Sequence, residues 1–197
     1  TYSALIESDF STTPPNNAVL YGSAFISNGV CVLTPNLQGQ WGALLFDSTV
    51  FAPTFFEAQW DYRAADGDGA DGTSFSYGLL GPGGNDVEFY GLAGAALVVS
   101  FKEYLSHKWL SLRYNDTTIQ TVRFTPTGDA YKRIHVKVGI FNSITVSMGG
   151  TVMISASLTG TNYATTDKSG WRFGFASRTG MNINTHSIDN FSITFKD

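Results

Sequence analysis

At 197 residues, with 43% hydrophobic and 14% charged residues, the chain is long enough to bury a sizeable core as one domain, residues 1–197, without staples. A net charge of −4 and the lack of any Lys/Arg cluster leave nucleic acid and anionic membranes as poor partners. A single cysteine excludes an internal disulfide, and no run approaches the ~18 apolar residues of a membrane-spanning helix.

The 21 Gly and 15 Phe, with many β-branched residues, point to β-structure. The opening TYSALIESDF lacks the charged and apolar regions of a signal peptide, so the expectation is a mature domain of a longer parent protein. Ala4 to Phe10 reads as an edge strand, followed by a turn at STTPPNN. Strands are predicted at Val19 to Ser27 and Gly29 to Thr34, joined by Ser27-Asn28-Gly29, with Cys31 a buried small hydrophobe. Another covers Trp41 to Phe46.

From Phe56 the chain alternates: Phe56, Ala58, Trp60 and Tyr62 fall on one face, Glu57, Gln59, Asp61 and Arg63 on the other. Ala64 to Gly72 is a loop rich in Asp and Gly. Thr73 to Gly78 returns as a strand with Phe75 and Tyr77 buried. Leu79 to Val87 is a Gly-rich loop, and Leu97 to Tyr104 pairs with His107 to Tyr114 across Leu105-Ser106. Arg133 to Ile140 places Ile134, Val136, Val138 and Ile140 inward. Ser143 to Met148 and Thr151 to Leu158 form a hairpin at Gly149-Gly150, a polar loop runs from Thr159 to Ser169, and Trp171 to Ser177 and Ser187 to Phe195 complete about twelve strands. No long helical period occurs. The predicted fold class is all-β, an antiparallel β-sandwich of jelly-roll type.

Three segments, in this order, resemble the L-type lectin or concanavalin A-like sandwich shared by legume lectins and laminin G-like domains. They are Gly69-Ala70-Asp71-Gly72 with the strand TSFSYG, then LVVSFKEY (residues 97–104) after the glycine-rich 91–94, and RFGFASRTG (residues 172–180) followed by a loop and His186-Ser187-Ile188. The resemblance implies that Asp71 hydrogen-bonds sugar hydroxyls and that the loop after residue 180 shapes specificity. The family's metal-binding Glu-x-Asp pair is replaced by Ser100 and Lys102, and the long loop that follows shrinks to Leu105-Ser106-His107. A lysine has no acceptor and repels a divalent metal, so the double metal site is expected to be absent.

The expected ligand contacts are Asp71, Gly72, Tyr90, Gly94, Tyr104, Met181, Asn182 and Asn184, combining hydrogen-bonding groups with aromatic or apolar walls for sugar C–H faces. Asp71 could equally serve as an Asx-turn residue, and Asn182 and Asn184 as turn formers. Asp66, Asp68 and Asp71 are a candidate calcium set. Their spacing resembles the start of an EF-hand loop, but Ala70 holds the third ligand position and Tyr77 the twelfth. Calcium is the one cofactor in view. A glycoside hydrolase would need two neighbouring carboxyls. Asp86 and Glu88 would share a face if their segment is extended, Glu57 and Asp61 share a strand face but lie roughly 13 Å apart, and the family's catalytic acid array is missing. His107, His135 and His186 lack ligand spacing. Asn115-Asp116-Thr117 and Asn190-Phe191-Ser192 match the N-glycosylation sequence.

The resulting expectation is a non-catalytic, secreted or cell-surface carbohydrate-binding domain whose partner is a glycan or glycoprotein. A structural or adhesive, protein-binding module of the laminin G-like type is the alternative.

Overall fold

A computed structural model describes residues 2–48, 52–126 and 128–196. Fifteen strands are described, with one four-residue helix. In chain order they are β1 (Tyr2–Ser8), β2 (Ala18–Gly22), β3 (Phe25–Ser27), β4 (Val30–Thr34), β5 (Trp41–Phe46), β6 (Phe56–Ala65), β7 (Gly72–Gly78), the helix α1 (Val87–Tyr90), β8 (Ala95–Tyr104), β9 (His107–Tyr114), β10 (Thr117–Arg123), β11 (Lys132–Val138), β12 (Ser143–Met148), β13 (Thr151–Ser157), β14 (Arg172–Arg178) and β15 (Thr185–Lys196). They form two antiparallel sheets, ordered β13-β12-β11-β6-β15-β4-β3 and β10-β9-β8-β7-β14-β5-β2. The edge of β15 beside β4 continues along β1, which pairs with its second half. The all-β sandwich is as expected.

The alternation read from residues 56–62 holds: Phe56, Ala58, Trp60 and Tyr62 are all buried between the sheets. There they meet the inner row of the seven-stranded sheet. The Trp60 and Phe75 rings stack with centroids 4.9 Å apart and Tyr62 on Phe101 at 4.8 Å, while within the seven-stranded sheet Tyr77 stacks on Phe173 at 4.1 Å. Burying each such side chain stabilises the fold by roughly 1.5–3 kcal/mol. Cys31 is a fully buried free thiol, as expected.

Four expectations need correction. The stretch 19–27 is two strands in different sheets, not one: at Gly22 the chain turns, and Ser23 anchors the crossing by bonding the Trp41 and Leu33 carbonyls. Ile140 is exposed, because strand pairing ends at Val138 and a tight turn follows. The Gly-rich loop expected from Leu79 to Val87 runs into a short helix, α1, that was not expected. Strand β10 was not foreseen. It is an edge strand with few buried positions, so its sequence carries little apolar alternation.

The outer face of the seven-stranded sheet is built differently from the inner one. Ser74, Ser76, Gly174, Ala176 and Ala43 keep it low, and segment 79–94 lies flat upon it. Leu80, Val87 and Leu92 form a second small core there with Ala43, Leu45 and Ala176. The Ser74 hydroxyl donates to the Val87 carbonyl at 2.6 Å, and Ser76 Oγ accepts from the Leu92 N–H at 3.2 Å. Gly174 is needed for this approach, since a Cβ there would stand 2.8 Å from Leu92.

Candidate functional site

Where segment 79–94 stops covering the sheet, charged side chains emerge. Antiparallel partners point to one face. Lys102 of β8 lies opposite Gly72 of β7, Gly72 opposite Arg178 of β14, and Arg178 opposite Trp41 of β5. Asp71, just before β7, is fixed by its backbone: its N–H donates to the Arg178 carbonyl, and its carbonyl accepts from the Glu103 N–H, both at 2.9 Å. The Ala70–Asp71 peptide is cis. Gly72 has φ of +155°, and a Cβ there would meet the Phe101 carbonyl at 2.3 Å, so no larger residue fits between Lys102 and Arg178.

Asp71, Asp86, Glu88, Phe89, Tyr90, Lys102, Tyr104 and Arg178 line a cleft of about 320 Å³. Arg178 organises its acidic wall. Its Nε and Nη2 donate to the two carboxylate oxygens of Glu88 at 3.1 and 3.2 Å. Nη2 also stands 3.0 Å from Asp86 and 3.6 Å from Asp71. Burial pushes the Glu88 and Asp71 carboxyls above the ordinary range, while the Arg178 guanidinium opposes it, aided at Asp71 by Lys102. The opposite wall is aromatic. Phe89 and Tyr90 pack edge to face at 4.8 Å, with the Arg113 guanidinium over both rings and Lys102 over Phe89 at 5.5 Å. Beneath the cleft, buried Glu103 accepts from Tyr62 Oη at 2.8 Å, and burial raises its carboxyl.

Of the sequence-predicted contacts, Asp71, Tyr90 and Tyr104 are brought into this cleft, with Gly72 in its floor row. Gly94 is packed against the Leu79 carbonyl, where its φ of +83° admits the return of the covering segment, and it does not line the cleft. Asn182 and Asn184 serve a neighbouring loop junction instead. Asp68 accepts from Asn182 Nδ2 and from the Ile183 N–H at 2.7 Å, and the buried Asn184 amide oxygen accepts from the Gly67 N–H. Loop 179–184 is thereby tied to loop 66–71. Met181, 86% exposed, stands at that rim beside Gly180, whose Cβ position would lie 3.4 Å from Asp71.

The proposed calcium trio is parted by the fold. Asp66 binds Arg63 through both oxygens at 2.9 and 3.1 Å, Asp68 binds loop 182–183, and Asp71 faces Arg178. Those contacts hold the Asp66 and Asp68 carboxyls below the usual range. Among the described residues no three His, Cys, Asp or Glu side chains converge to hold a metal ion. A divalent cation at Asp71 would also meet the positive charges of Arg178 and Lys102, which oppose it there.

The acid pairs considered for hydrolysis are engaged too. Asp86 and Glu88 share Arg178, and Glu57 contacts His135 and Lys137 on the other sheet. His107 is exposed at a hairpin end opposite Tyr104, and His186 is buried beside Thr34. Asn115 and Asn190 are both exposed.

Sequence reasoning missed Arg178 and Phe89 as site residues and assigned Lys102 only a negative role. Their one local signal was position: a cation or aromatic on the outward phase of a strand, or beside a glycine-rich segment.

No protein-family model and no curated protein sequence matches the chain. Solved structures do. The Ca2+-bound exoplasmic/lumenal domain of VIP36 superposes with a TM-score of 0.77 at 15% identity, covering 98% of this chain and 90% of that one. The Emp47p carbohydrate recognition domain gives 0.75 at 18% identity, over 97% and 95%. The lectin from Bauhinia forficata in complex with GalNAc gives 0.77 at 16% identity, over 99% of both chains. The chain therefore has the concanavalin A-like fold of L-type lectins.

Proposed function

We propose that the protein is a non-catalytic carbohydrate-binding domain whose site is the cleft around Asp71. The observation that carries this reading is the pairing of a positioned, half-buried carboxylate with an aromatic wall of Phe89, Tyr90 and Tyr104 in one cleft. Asp71 accepts hydrogen bonds from sugar hydroxyls, and the rings cover the apolar C–H face. The fold supports it, since structures it resembles hold Man3GlcNAc in VIP36 and GalNAc in the Bauhinia lectin.

VIP36 also binds Ca2+. Here Arg178 and Lys102 supply the positive charge beside Asp71, so sugar binding proceeds without a metal in this cleft. The partner is a glycan or glycoprotein met in the secretory pathway or outside the cell, by analogy with the lumenal domain of VIP36. Among the described residues no helix is long and apolar enough to cross a membrane. A shallow, wet site of this kind binds at roughly millimolar to micromolar strength and gains avidity from multivalency.

A glycan-array screen with calcium and with a chelator, beside Asp71→Asn, tests the proposal. Chelator-insensitive binding lost in Asp71→Asn is the expected result. Binding that needs calcium would overturn the metal-free reading, and a folded protein that binds no glycan would favour a protein-binding module.

A further inference from the structure

The cleft around Asp71 does not end at Arg178. A second cleft of about 590 Å³ adjoins it, lined by Trp41, Gly83, Gly84, Asn85, Asp86, Val87 and Arg178. Asp86 and Arg178 line both clefts, so their ion pair at 3.0 Å forms the saddle between them. The second cleft has the parts of a sugar subsite. Trp41, the first residue of β5, is 40% exposed, the most open of the four Trp. Its ring is seated from below by Gly22, where a Cβ would come within 3.1 Å of Cδ2 and Cε2. In the same cleft a Cβ at Gly83 would meet nothing within 4 Å, and Asn85 and Asp86 supply donors and acceptors.

Arg178 itself is only partly used. Nε and Nη2 are committed to the carboxylates, whereas Nη1 makes no hydrogen bond among the described residues. Two of its five N–H donors are therefore free at the saddle. From Lys102 through Gly72 and Arg178 to Trp41 there are three strand spacings, about 14 Å, which is the span of a short oligosaccharide and not of a single sugar ring.

We propose that Trp41 is the platform of a second subsite, so that the protein selects extended glycans: the terminal unit sits at Asp71, the chain crosses Arg178, and an inner unit stacks on Trp41. This rests on the carbohydrate-binding reading of the first cleft and adds the ligand's length and direction to it. Trp41 then determines specificity for chain length, while Asp71 governs binding of any unit.

The test compares wild type, Trp41→Ala, Trp41→Phe and Asp71→Asn on an array carrying each extended glycan beside its own terminal monosaccharide, with thermal melts confirming folding. Trp41→Ala is expected to bind extended glycans on the order of tenfold more weakly while leaving monosaccharide binding unchanged, with Trp41→Phe intermediate. Equal binding by wild type and folded Trp41→Ala would overturn the subsite and leave the Asp71 site standing. An equal loss for both ligand sizes would also overturn it, as a merely structural role. No binding by wild type would instead overturn the reading on which the subsite rests.

Discussion

The two faces of the seven-stranded sheet come from the same strands and do opposite work. Along β7, Phe75 and Tyr77 point inward while Ser74 and Ser76 point outward. Along β14, Phe173 and Phe175 alternate with Gly174 and Ala176. Both rows are buried, yet for different reasons. The inner face is large and interlocks with the opposite sheet. The outer face is small, so that segment 79–94 can lie on it and carry Glu88, Phe89 and Tyr90 to the edge of the charged row. Bulk on one face makes the core, and its absence on the other makes room for the cleft.

The largest break in this comparison comes from truncating the inner face. Phe75→Ala is expected to cost about 3–5 kcal/mol, measured by chemical denaturation, because its ring contacts Trp60, Phe173 and Phe175 at once. Folded molecules of that variant should keep the cleft. The outer face should respond in the reverse sense, to added bulk. Gly174→Val should cost about 1–3 kcal/mol by lifting Leu92, and hydrogen exchange in residues 79–94 should rise more than in the core.

Removing the charge at the cleft's centre is a smaller change. Arg178→Met leaves Asp71, Asp86 and Glu88 facing one another and should cost about 1–2 kcal/mol at neutral pH, since the guanidinium is partly exposed. The cost should shrink on acidification, as protonating Glu88 and Asp71 removes the repulsion.

The finest test is the sign of two buried titrations. Glu103 has a raised folded pKa, so its ionisation opposes folding as pH climbs above the ordinary glutamate range. Glu103→Gln, whose amide oxygen still accepts from Tyr62, should raise the melting temperature at pH 8 and leave it unchanged below that range. His186 has the opposite sign, its pKa lowered by burial to about 3. Below about pH 6.5 the unfolded chain takes up a proton that the folded one refuses, and stability falls towards pH 3. His186→Leu should flatten this acid limb in pH-dependent melts. A Glu103→Gln gain that persisted at low pH would show that packing, and not charge, is responsible.

Much of this was legible in the sequence. Strict alternation in 56–62 and 133–138 placed the inner face, and the Asp-Gly cluster marked the loop at Asp71. Asn182 and Asn184 were also read as possible turn formers, and both tie loops 66–71 and 179–184 together.

Alternation, turn chemistry and fold class belong to the sequence itself, because backbone periodicity and glycine's freedom act over a few residues. Strand order does not, and it alone decided which side chains meet. Nothing local says that β14 lies between β7 and β5, and that neighbour relation sets Arg178 among Asp71, Asp86, Glu88 and Trp41. The parting of the three carboxylates is only partly of this origin: Asp66 takes a donor three residues away, Arg63, whereas Asp68 turns to loop 182–183 and Asp71 to Arg178, donors that only the tertiary structure brings near.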